Sequence, residues 1–391
     1  MLTLQGKYNE ATIYTDHVSD GTIGQIIGLC NQAFTRGSKI RIMPDTHSGS
    51  GCVIGTTMEI KDKIVPSLVG VDIGCGLYVV KLRKDCKLNF DKLDRLIRTG
   101  IPSGHGTHAK PIAEFELGSV HAPIHKGWAL RSLGTLGGGN HFIEVNEGKD
   151  AYYLVIHSGS RVLGKEIAEH HQEIAFQELS QLRKELKLQR QKAQEHGEEL
   201  EAKRLDAERE AIKMPYELSY VTGTTMDEYL QDMAIAQAYA AENRRLMGEI
   251  ILKGMKWKKS VVDSFDCPHN YVDLANGILR KGAVSAQKGE RLIIPLNMKD
   301  GSIIGTGKGN PDWNYSGPHG AGRQMSRSEA KRQITLESYQ HVMRRVWTTS
   351  VSKKTIDEAP KAYKPVKQLL EDIQPAINVQ EVVRPLYNFK G

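Results

Sequence analysis

Five side chains of the kinds that ligate divalent cations fall in glycine-, serine- or proline-rich turns of this 391-residue chain. Asp72 and Cys75 sit among three glycines in VGVDIGCGL, 69–77. His141 follows three consecutive glycines and Asn140 in LGTLGGGNHFIEV, 133–145, with Glu144 three residues on. His157 stands in VIHSGSR, and His269 beside a proline in CPHNYVDL. Any one of these histidines alone would more often be structural than a ligand; the set is harder to dismiss. A thiolate sulfur can bridge two cations, so the five suit one crowded site or two adjacent metals sharing Cys75. Paired metals can hold both the attacking and the leaving oxygen of a phosphoryl displacement. Thiolate and imidazole favour zinc by affinity, and the carboxylate widens the choice to manganese or iron.

A sixth residue poses a different question. NYSGPHGAGRQMSR, 314–327, surrounds His319 with Gly317, Pro318, Gly320, Ala321 and Gly322, then adds Arg323 and Arg327. So little side-chain bulk leaves the imidazole open to close approach. It can be another ligand, a general base or a nucleophile. Attack by an imidazole nitrogen on a nucleotide α-phosphorus would give a phosphoramidate, with metals or the two guanidiniums meeting the phosphate charge. The tract 280–310 is also glycine-rich, with Lys281, Lys288 and Lys308, and its backbone N–H groups could cradle phosphates. It lacks the spacing of a Walker A loop.

The elements that must position these groups are of two kinds. SKIRIMPDTH, GCVIGTTMEI, GLYVVKLRK and AYYLVIHS read as short strands, and the chemistry-bearing residues are expected in loops that follow the ends of such strands. Between 165 and 213 the chain turns to Glu, Lys, Arg, Gln, Leu and Ala with a single glycine, Gly197. Leucines and isoleucines recur there at helical spacing, which predicts a charged helical hairpin broken near His196-Gly197, with most of its charge on a solvated face. A further helix is expected after Gly223, capped by Thr224 or Thr225, and Ser326-Arg-Ser-Glu329 is a capping box opening another. No repeat or flexible linker is visible. The expectation is one α+β unit, a single compact mixed domain over 1–391 with the 165–213 hairpin as an insert.

Composition narrows the setting. Lys and Arg number 53 against 46 for Asp and Glu, a net charge of +7, which suits a polyanionic partner without requiring one. The five cysteines form no CxxC pair, which favours a reducing cytoplasm over a disulfide framework or zinc ribbon. No apolar run is long enough to span a membrane, and the N-terminus lacks the pattern of a signal peptide.

Taken together and in order, MPDTHSGSGCVIG, GVDIGCG, LGTLGGGNHFIEV, HSGSR, PHNYV, RKGA and GPHGAGRQMSR resemble the RtcB family of RNA-splicing ligases over about residues 43–327. The terminal Lys390-Gly391 extends the likeness to the end of the chain. The resemblance implies a manganese- and GTP-dependent ligase of the RtcB fold. His319 would take GMP from GTP and pass it to an RNA 3′-phosphate, which the enzyme can generate from a 2′,3′-cyclic phosphate. A 5′-hydroxyl would then displace GMP. The resemblance gives Cys75 the bridge between two Mn2+ ions, Asp72 and His141 completing one and His157 and His269 the other. It puts Asn140 on the GTP phosphates and Glu144, Ser302 and Lys390 on guanine. It also puts Phe142 beside the nucleoside, and Asn297, Gly320, Ala321 and Gly322 in the nucleotide site. Asp45, Arg161, Arg323 and Arg327 would face RNA or support the site. It admits an archease-type activating partner. One departure stands out: PLNM, with Leu296 and Asn297, replaces the family's usual Pro-Gly-Ser-Met, and Leu296 takes the place of a glycine at which backbone would approach the nucleotide.

Two other readings use the same residues. The five ligands would suffice for a metal-dependent phosphoesterase or cyclic phosphodiesterase acting on RNA ends, with His319 merely orienting substrate. A non-catalytic RNA-binding protein, with the 165–213 helices as its arm, leaves the five ligands unexplained.

Overall fold

The computed structural model describes all 391 residues. In chain order its strands begin β1 (Leu2–Gln5), β2 (Glu10–Ile13), β3 (Ile40–His47), β4 (Ile54–Glu59), β5 (Gly76–Arg83), β6 (Phe142–Glu147), β7 (Ala151–Ser158) and β8 (Val261–Pro268). They continue with β9 (Asn270–Asp273), β10 (Ile278–Lys281), β11 (Ala283–Ser285), β12 (Arg291–Asn297), β13 (Gly301–Gly307), β14 (Ser316–Pro318) and β15 (Ile377–Lys390). The helices are α1 (Asp20–Cys30), α2 (Phe90–Gly100), α3 (Lys126–Ser132), α4 (Arg161–Glu195), α5 (Glu199–Ala211), α6 (Gly223–Gly254), α7 (Arg327–Gln333), α8 (Leu336–Met343) and α9 (Val366–Asp372).

The strands build a six-stranded sheet, β1-β2-β3-β4-β10-β9, a seven-stranded sheet, β12-β13-β15-β6-β7-β5-β8, and a β11-β14 pair. Only β2 and β3 run parallel; the other ladders are antiparallel. Antiparallel sheets with helices packed against them are the α+β class expected from the sequence. The four strand-like stretches read from the sequence are β3, β4, β5 and β7.

Antiparallel pairing decides where the chemistry collects. Successive antiparallel strands present opposite termini at one end of a sheet, so functional residues need not all follow strands. Asp72 and Cys75 precede β5, and His141 precedes β6. His157 lies near the end of β7, and His269 follows β8. The register nevertheless places them together: Gly76 pairs with Ser158 on one side and Pro268 on the other, and Phe142 pairs with both His157 and Lys390. The expectation that such residues follow strands therefore needs correcting for Asp72, Cys75 and His141.

Helix α6 braces this end from behind. Tyr229, Met233, Ala236, Tyr239, Ala240, Met247 and Ile251 form its buried stripe. Thr222, with no side-chain capping bond, is its N-cap, rather than Thr224 or Thr225. Two polar residues on the buried face do the holding. The Asn243 amide accepts from the N–H groups of Gly134 and Thr135 and donates to Thr135 O and Gly159 O. Arg244 grips Asp266 through two 2.7 Å bonds and donates to Gly74 O and Ser158 O. One buried helix turn thus ties down the loop before Cys75 and the strand end after His157.

Helix α4 starts at Arg161, and its first half belongs to the core through Leu163, Ile167, His171, Ala175 and Leu179. Beyond that it projects, and α5 returns along it with Ala202 and Leu205 buried. The break falls at His196-Gly197. Leu182 and Leu200 are exposed, so part of the apolar spacing read from the sequence does not face a core. The Ser326–Glu329 capping box opens α7 with both of its hydrogen bonds present. No helix is long and apolar enough to cross a membrane.

Candidate active site

The five ligand candidates meet at the braced end of the seven-stranded sheet. Asp72, Cys75 and His141 form one cluster and Cys75, His157 and His269 another, the ligand atoms of each lying within 4.8 Å of one another. Cys75 is common to both. Its Sγ is 3.5 Å from His141 Nε2 and 3.3 Å from His157 Nε2. The other ring nitrogens explain this orientation. His141 Nδ1 lies 2.9 Å from Leu136 O and His157 Nδ1 3.1 Å from Asn140 O. Donating Nδ1–H to a main-chain carbonyl leaves the Nε2 lone pair free, the arrangement metal-binding imidazoles require. Gly74 is obligatory here: φ is +70°, and a Cβ would come within 2.8 Å of Gln237 Cα on α6.

The protonation states fit a site waiting for a cation. Burial, then the Asp72 charge, pushes the Cys75 thiol well above its ordinary value. Burial and the neighbouring imidazoles push His157 and His269 well below theirs, so both rings are neutral. Burial alone would raise Asp72, but a proton on His141 Nε2, which a bound cation would displace, and then Arg161 draw it down to about 2. His269 Nδ1 is buried with no hydrogen-bond partner. An ionised carboxylate, a thiol, three imidazoles and an orphaned ring nitrogen are a donor set that a divalent cation would satisfy.

Beside the cluster opens a solvent-accessible pocket lined mostly by polar residues. Asn140, Phe142, Glu144, Leu296, Asn297, Gly320, Ala321, Gly322 and Lys390 line it, together with His157 and His319. Glu144 is buried and accepts from Asn388 at 2.6 Å and Asn146 at 3.3 Å. Burial outweighs those bonds and Lys390, raising its carboxyl to about 7. The Lys390 ammonium stands 6.0 Å from the Phe142 ring centroid and is paired with Glu358 at 2.5 Å. Leu296 is packed into the core cluster of the seven-stranded sheet, at a register shift between Pro295 and Asn297. Asn297 closes its own turn: its Oδ1 accepts from the N–H groups of Lys299 and Asp300.

His319 lies where the pocket meets the cluster, its ring centroid 4.8 Å from that of His269. It follows β14, whose partner β11 starts with Ala283 donating to His269 O. Asp45 holds it closely. Asp45 Oδ2 lies 2.7 Å from His319 Nδ1 and accepts from the main-chain N–H groups of His319 and Gly320. With Nδ1–H committed to a carboxylate, Nε2 keeps its lone pair on a ring facing the pocket.

Of the remaining expected residues, Ser302 and Arg161 lie outside the pocket lining, and Arg323 and Arg327 within it. Ser302 is buried outside the pocket lining, its hydroxyl without a partner. Arg161 lies on the metal side, where its guanidinium donates to Gly104 O. Arg323 and Arg327 line the pocket but spend their charge within the protein, Arg323 on Asp357 O and Glu358, Arg327 on Asp357 and Glu358. Sequence reasoning missed Glu358, on which Lys390, Arg323, Arg327 and the Tyr363 hydroxyl converge. Burial would raise its carboxyl, but Lys390 and then Arg327 hold it at about 2. Its only sequence signal is the acidic pair Asp357-Glu358 ahead of Tyr363, which looks like ordinary surface charge. Asn243 and Arg244 were also missed, sitting in a helix where the polar pair reads as an exposed face.

Known proteins resemble this chain over most of its length. A family model described as tRNA-splicing ligase RtcB matches residues 29–129 and 119–391. The RNA-splicing ligase RtcB1 of Escherichia coli ATCC 25922 is 31% identical, the match covering 90% of each chain. The RNA-splicing ligase RtcB of Escherichia coli K12 is 30% identical with the same coverage. The tRNA-splicing ligase RtcB of Aeropyrum pernix is 26% identical over 90% of this chain and 87% of its own.

Proposed function

This chain belongs to the RtcB family, and from that premise we propose that it is an RNA ligase that uses GTP and two divalent cations, manganese by family likeness. In this reading it joins an RNA 3′-phosphate or 2′,3′-cyclic phosphate end to a 5′-hydroxyl end through a GMP-histidine. The whole of 1–391 acts as one catalytic unit, in the cytoplasm where its unpaired cysteines stay reduced. The observation that carries the reading is His319, oriented by Asp45 at the wall of a polar pocket beside the metal-ligand cluster.

Asp72, Cys75, His141, His157 and His269 would hold the cations. Metals bound there would supply positive charge to phosphate oxygens. The chain's own residues do the rest. Glu144, ionised, accepts from the two N–H donors on one edge of guanine, and Lys390 donates to the adjacent carbonyl oxygen. A base lacking that pattern would forgo these bonds and set its own polar edge against the wrong partners, which is how such a pocket discriminates. Phe142 flanks the nucleoside, and Asn140, exposed at the rim, reaches the phosphates.

His319 Nε2 then attacks the α-phosphorus. A nitrogen–phosphorus bond forms, the bond to the β-phosphate oxygen breaks, and pyrophosphate leaves. Nδ1 keeps its proton, and Asp45 offsets the positive charge that grows on the ring. An oxygen of the RNA 3′-phosphate next attacks the same phosphorus and frees His319. Finally the 5′-hydroxyl oxygen attacks the 3′-phosphate phosphorus, and GMP departs. An archease-type partner would serve as an activator. A phosphoesterase would not require the buried carboxylate Glu144 in a pocket next to the histidine, which favours the ligase.

The test is adduct formation. Purified protein incubated with α-labelled GTP and manganese should carry label that is lost in acid and kept in alkali. His319→Ala should bind metal normally and carry none. A labelled His319→Ala protein would reject the histidine as nucleophile.

A further inference from the structure

We infer that Lys364 is a positioning residue for His319, acting through the main chain on either side of Asp45. The inference rests on the role given to His319 above, and its starting point is a gap in a β-ladder. Strands β3 and β4 are in register from Ile40–Met58 to Ile42–Thr56, then lose it until His47 meets Ile54. Asp45 lies within the gap. Pro44, beside it, has no N–H to give a ladder. The strand segment that carries the His319 partner is thus without the cross-strand bonds that fix the rest of β3.

Lys364 supplies what the ladder lacks. Its ammonium lies 3.0 Å from Pro44 O and 3.1 Å from Thr46 O, the two carbonyls flanking Asp45. A third, longer contact of 3.5 Å reaches His17 O. No carboxylate oxygen lies within ion-pair distance of it, so the charge is spent on backbone rather than on a counter-ion. Charge-assisted bonds to carbonyls are stronger than neutral ones and orient peptide planes.

The same residue holds the other side of the contact. Lys364 N–H donates to Gly322 O, and Gln324 N–H donates to Ala362 O, a short antiparallel bridge between 322–324 and 362–364. Gly322 in turn abuts Asp45: its φ is +73°, and a Cβ there would come within 2.3 Å of Asp45 O. Lys364 therefore ties together both segments that meet at the Asp45–His319 bond. Along an extended segment neighbouring side chains point to opposite faces. Tyr363 accordingly reaches Glu358 in the pocket while Lys364 reaches beneath Asp45. Loosening this clamp would let the carboxylate drift from Nδ1, and a misplacement of about 1 Å at a reacting group costs on the order of 10²-fold.

The experiment measures the rate of GMP-adduct formation at saturating GTP in wild type, Lys364→Met, Lys364→Arg, Asp45→Asn and the Asp45→Asn/Lys364→Met double variant. Lys364→Met should slow the step by roughly 10- to 100-fold. Bound metal and the GTP concentration for half-maximal rate should stay unchanged, and Lys364→Arg should recover part of the loss. In the Asp45→Asn background the lysine substitution should cost less than about twofold more, because coupled residues are not additive. A wild-type rate in Lys364→Met, or losses that multiply in full, would overturn the lysine's role. Carbethoxylation of His319 by diethylpyrocarbonate, read by mass spectrometry, needs no nucleotide. Lys364→Met should lower its rate several-fold if Asp45 activates Nε2, and an unchanged rate counts against the proposal. If wild type forms no adduct, the ligase reading fails while this second readout still decides the clamp. If Lys364→Met is insoluble, Lys364→Gln takes its place under the same criteria.

Discussion

The metal-ligand cluster and the adjoining pocket are both buried and polar, yet they handle charge in opposite ways. In the cluster Asp72, Cys75, His141, His157 and His269 face one another with no lysine or arginine bonded to any ligand atom, and a ring nitrogen of His269 is orphaned. In the pocket nearly every charge is already answered: Lys390 by Glu358, Arg327 by Asp357 and Glu358, Glu144 by two amides. Buried polar groups are tolerated only when satisfied. A site left unsatisfied is therefore built for a cation, and one satisfied internally is built for a ligand that matches a fixed pattern of donors and acceptors. His319 stands at the boundary, with Asp45 as its own counter-ion.

The sharpest way to break the contrast is Cys75→Ala. Removing the sulfur common to both clusters should cost bound metal and reduce adduct formation by at least about 10³-fold. Metal analysis beside the labelling assay checks it; full metal content with normal labelling would end the two-cluster assignment. Because the thiol is protonated until a cation displaces its proton, apparent metal affinity should also rise with pH in wild type. Cys75→Ala should lose much of that dependence.

Glu358→Gln tests the pocket's self-neutralisation. It leaves the buried Lys390 ammonium without its anion and should lower unfolding free energy by about 3 kcal/mol. GTP should bind roughly tenfold more weakly while metal content is unchanged, since the loss is confined to one side of the boundary. Denaturant titration and the GTP dependence of labelling read the two effects separately. A variant that loses metal as well would show the regions to be one network.

A gentler probe is pH. Glu144 has its carboxyl raised to about 7, so it is ionised above that value and neutral below. Only the ionised form accepts from both guanine donors. Half-saturating GTP should therefore rise as pH falls from 8 to 6, approaching tenfold per unit in the acid limb. Glu144→Gln should bind GTP more weakly and flatten the profile. An unchanged slope in that variant would assign the dependence to another group.

How much of this was legible in the sequence follows the same contrast. Metal ligands are few in type and sit in glycine-rich turns, so Asp72, Cys75 and the histidines could be picked out before any fold was known. Their meeting place could not, because it depends on which end of which antiparallel strand adjoins which. The pocket was legible mainly through family resemblance. Glu358, Asn243, Arg244 and Lys364 act mainly by contacts to residues distant along the chain, and singly each reads as surface charge or polarity. Arg323 and Arg327 show the converse. Their spacing after His319 suggested guanidiniums free to meet phosphate charge, yet each is already bonded to acidic neighbours.

The smallest effect is expected farthest from both regions. Past Leu186 the α4–α5 hairpin keeps only Ala193, Ala202 and Leu205 buried within its helices, and it is laced by exposed ion pairs such as Arg204 with Glu201 and Glu208. Surface pairs of this kind add little each. The ten residues from 186 to 195 carry the tip about 15 Å outward along the helix axis. Nothing in the tip bonds to the cluster or the pocket. Replacing residues 188–207 with a short Gly-Ser turn should leave metal content unchanged and labelling by GTP within about twofold of wild type, because the braced half of α4 ends before the cut. If the tip has a role, it is in reaching RNA, so the ratio of joining rates for a hairpin-shaped and a single-stranded substrate should shift instead. A loss of labelling in this folded variant would mean that the projecting arm and the buried site are coupled, and the sharp division between an internally fixed centre and a free periphery would have to be given up.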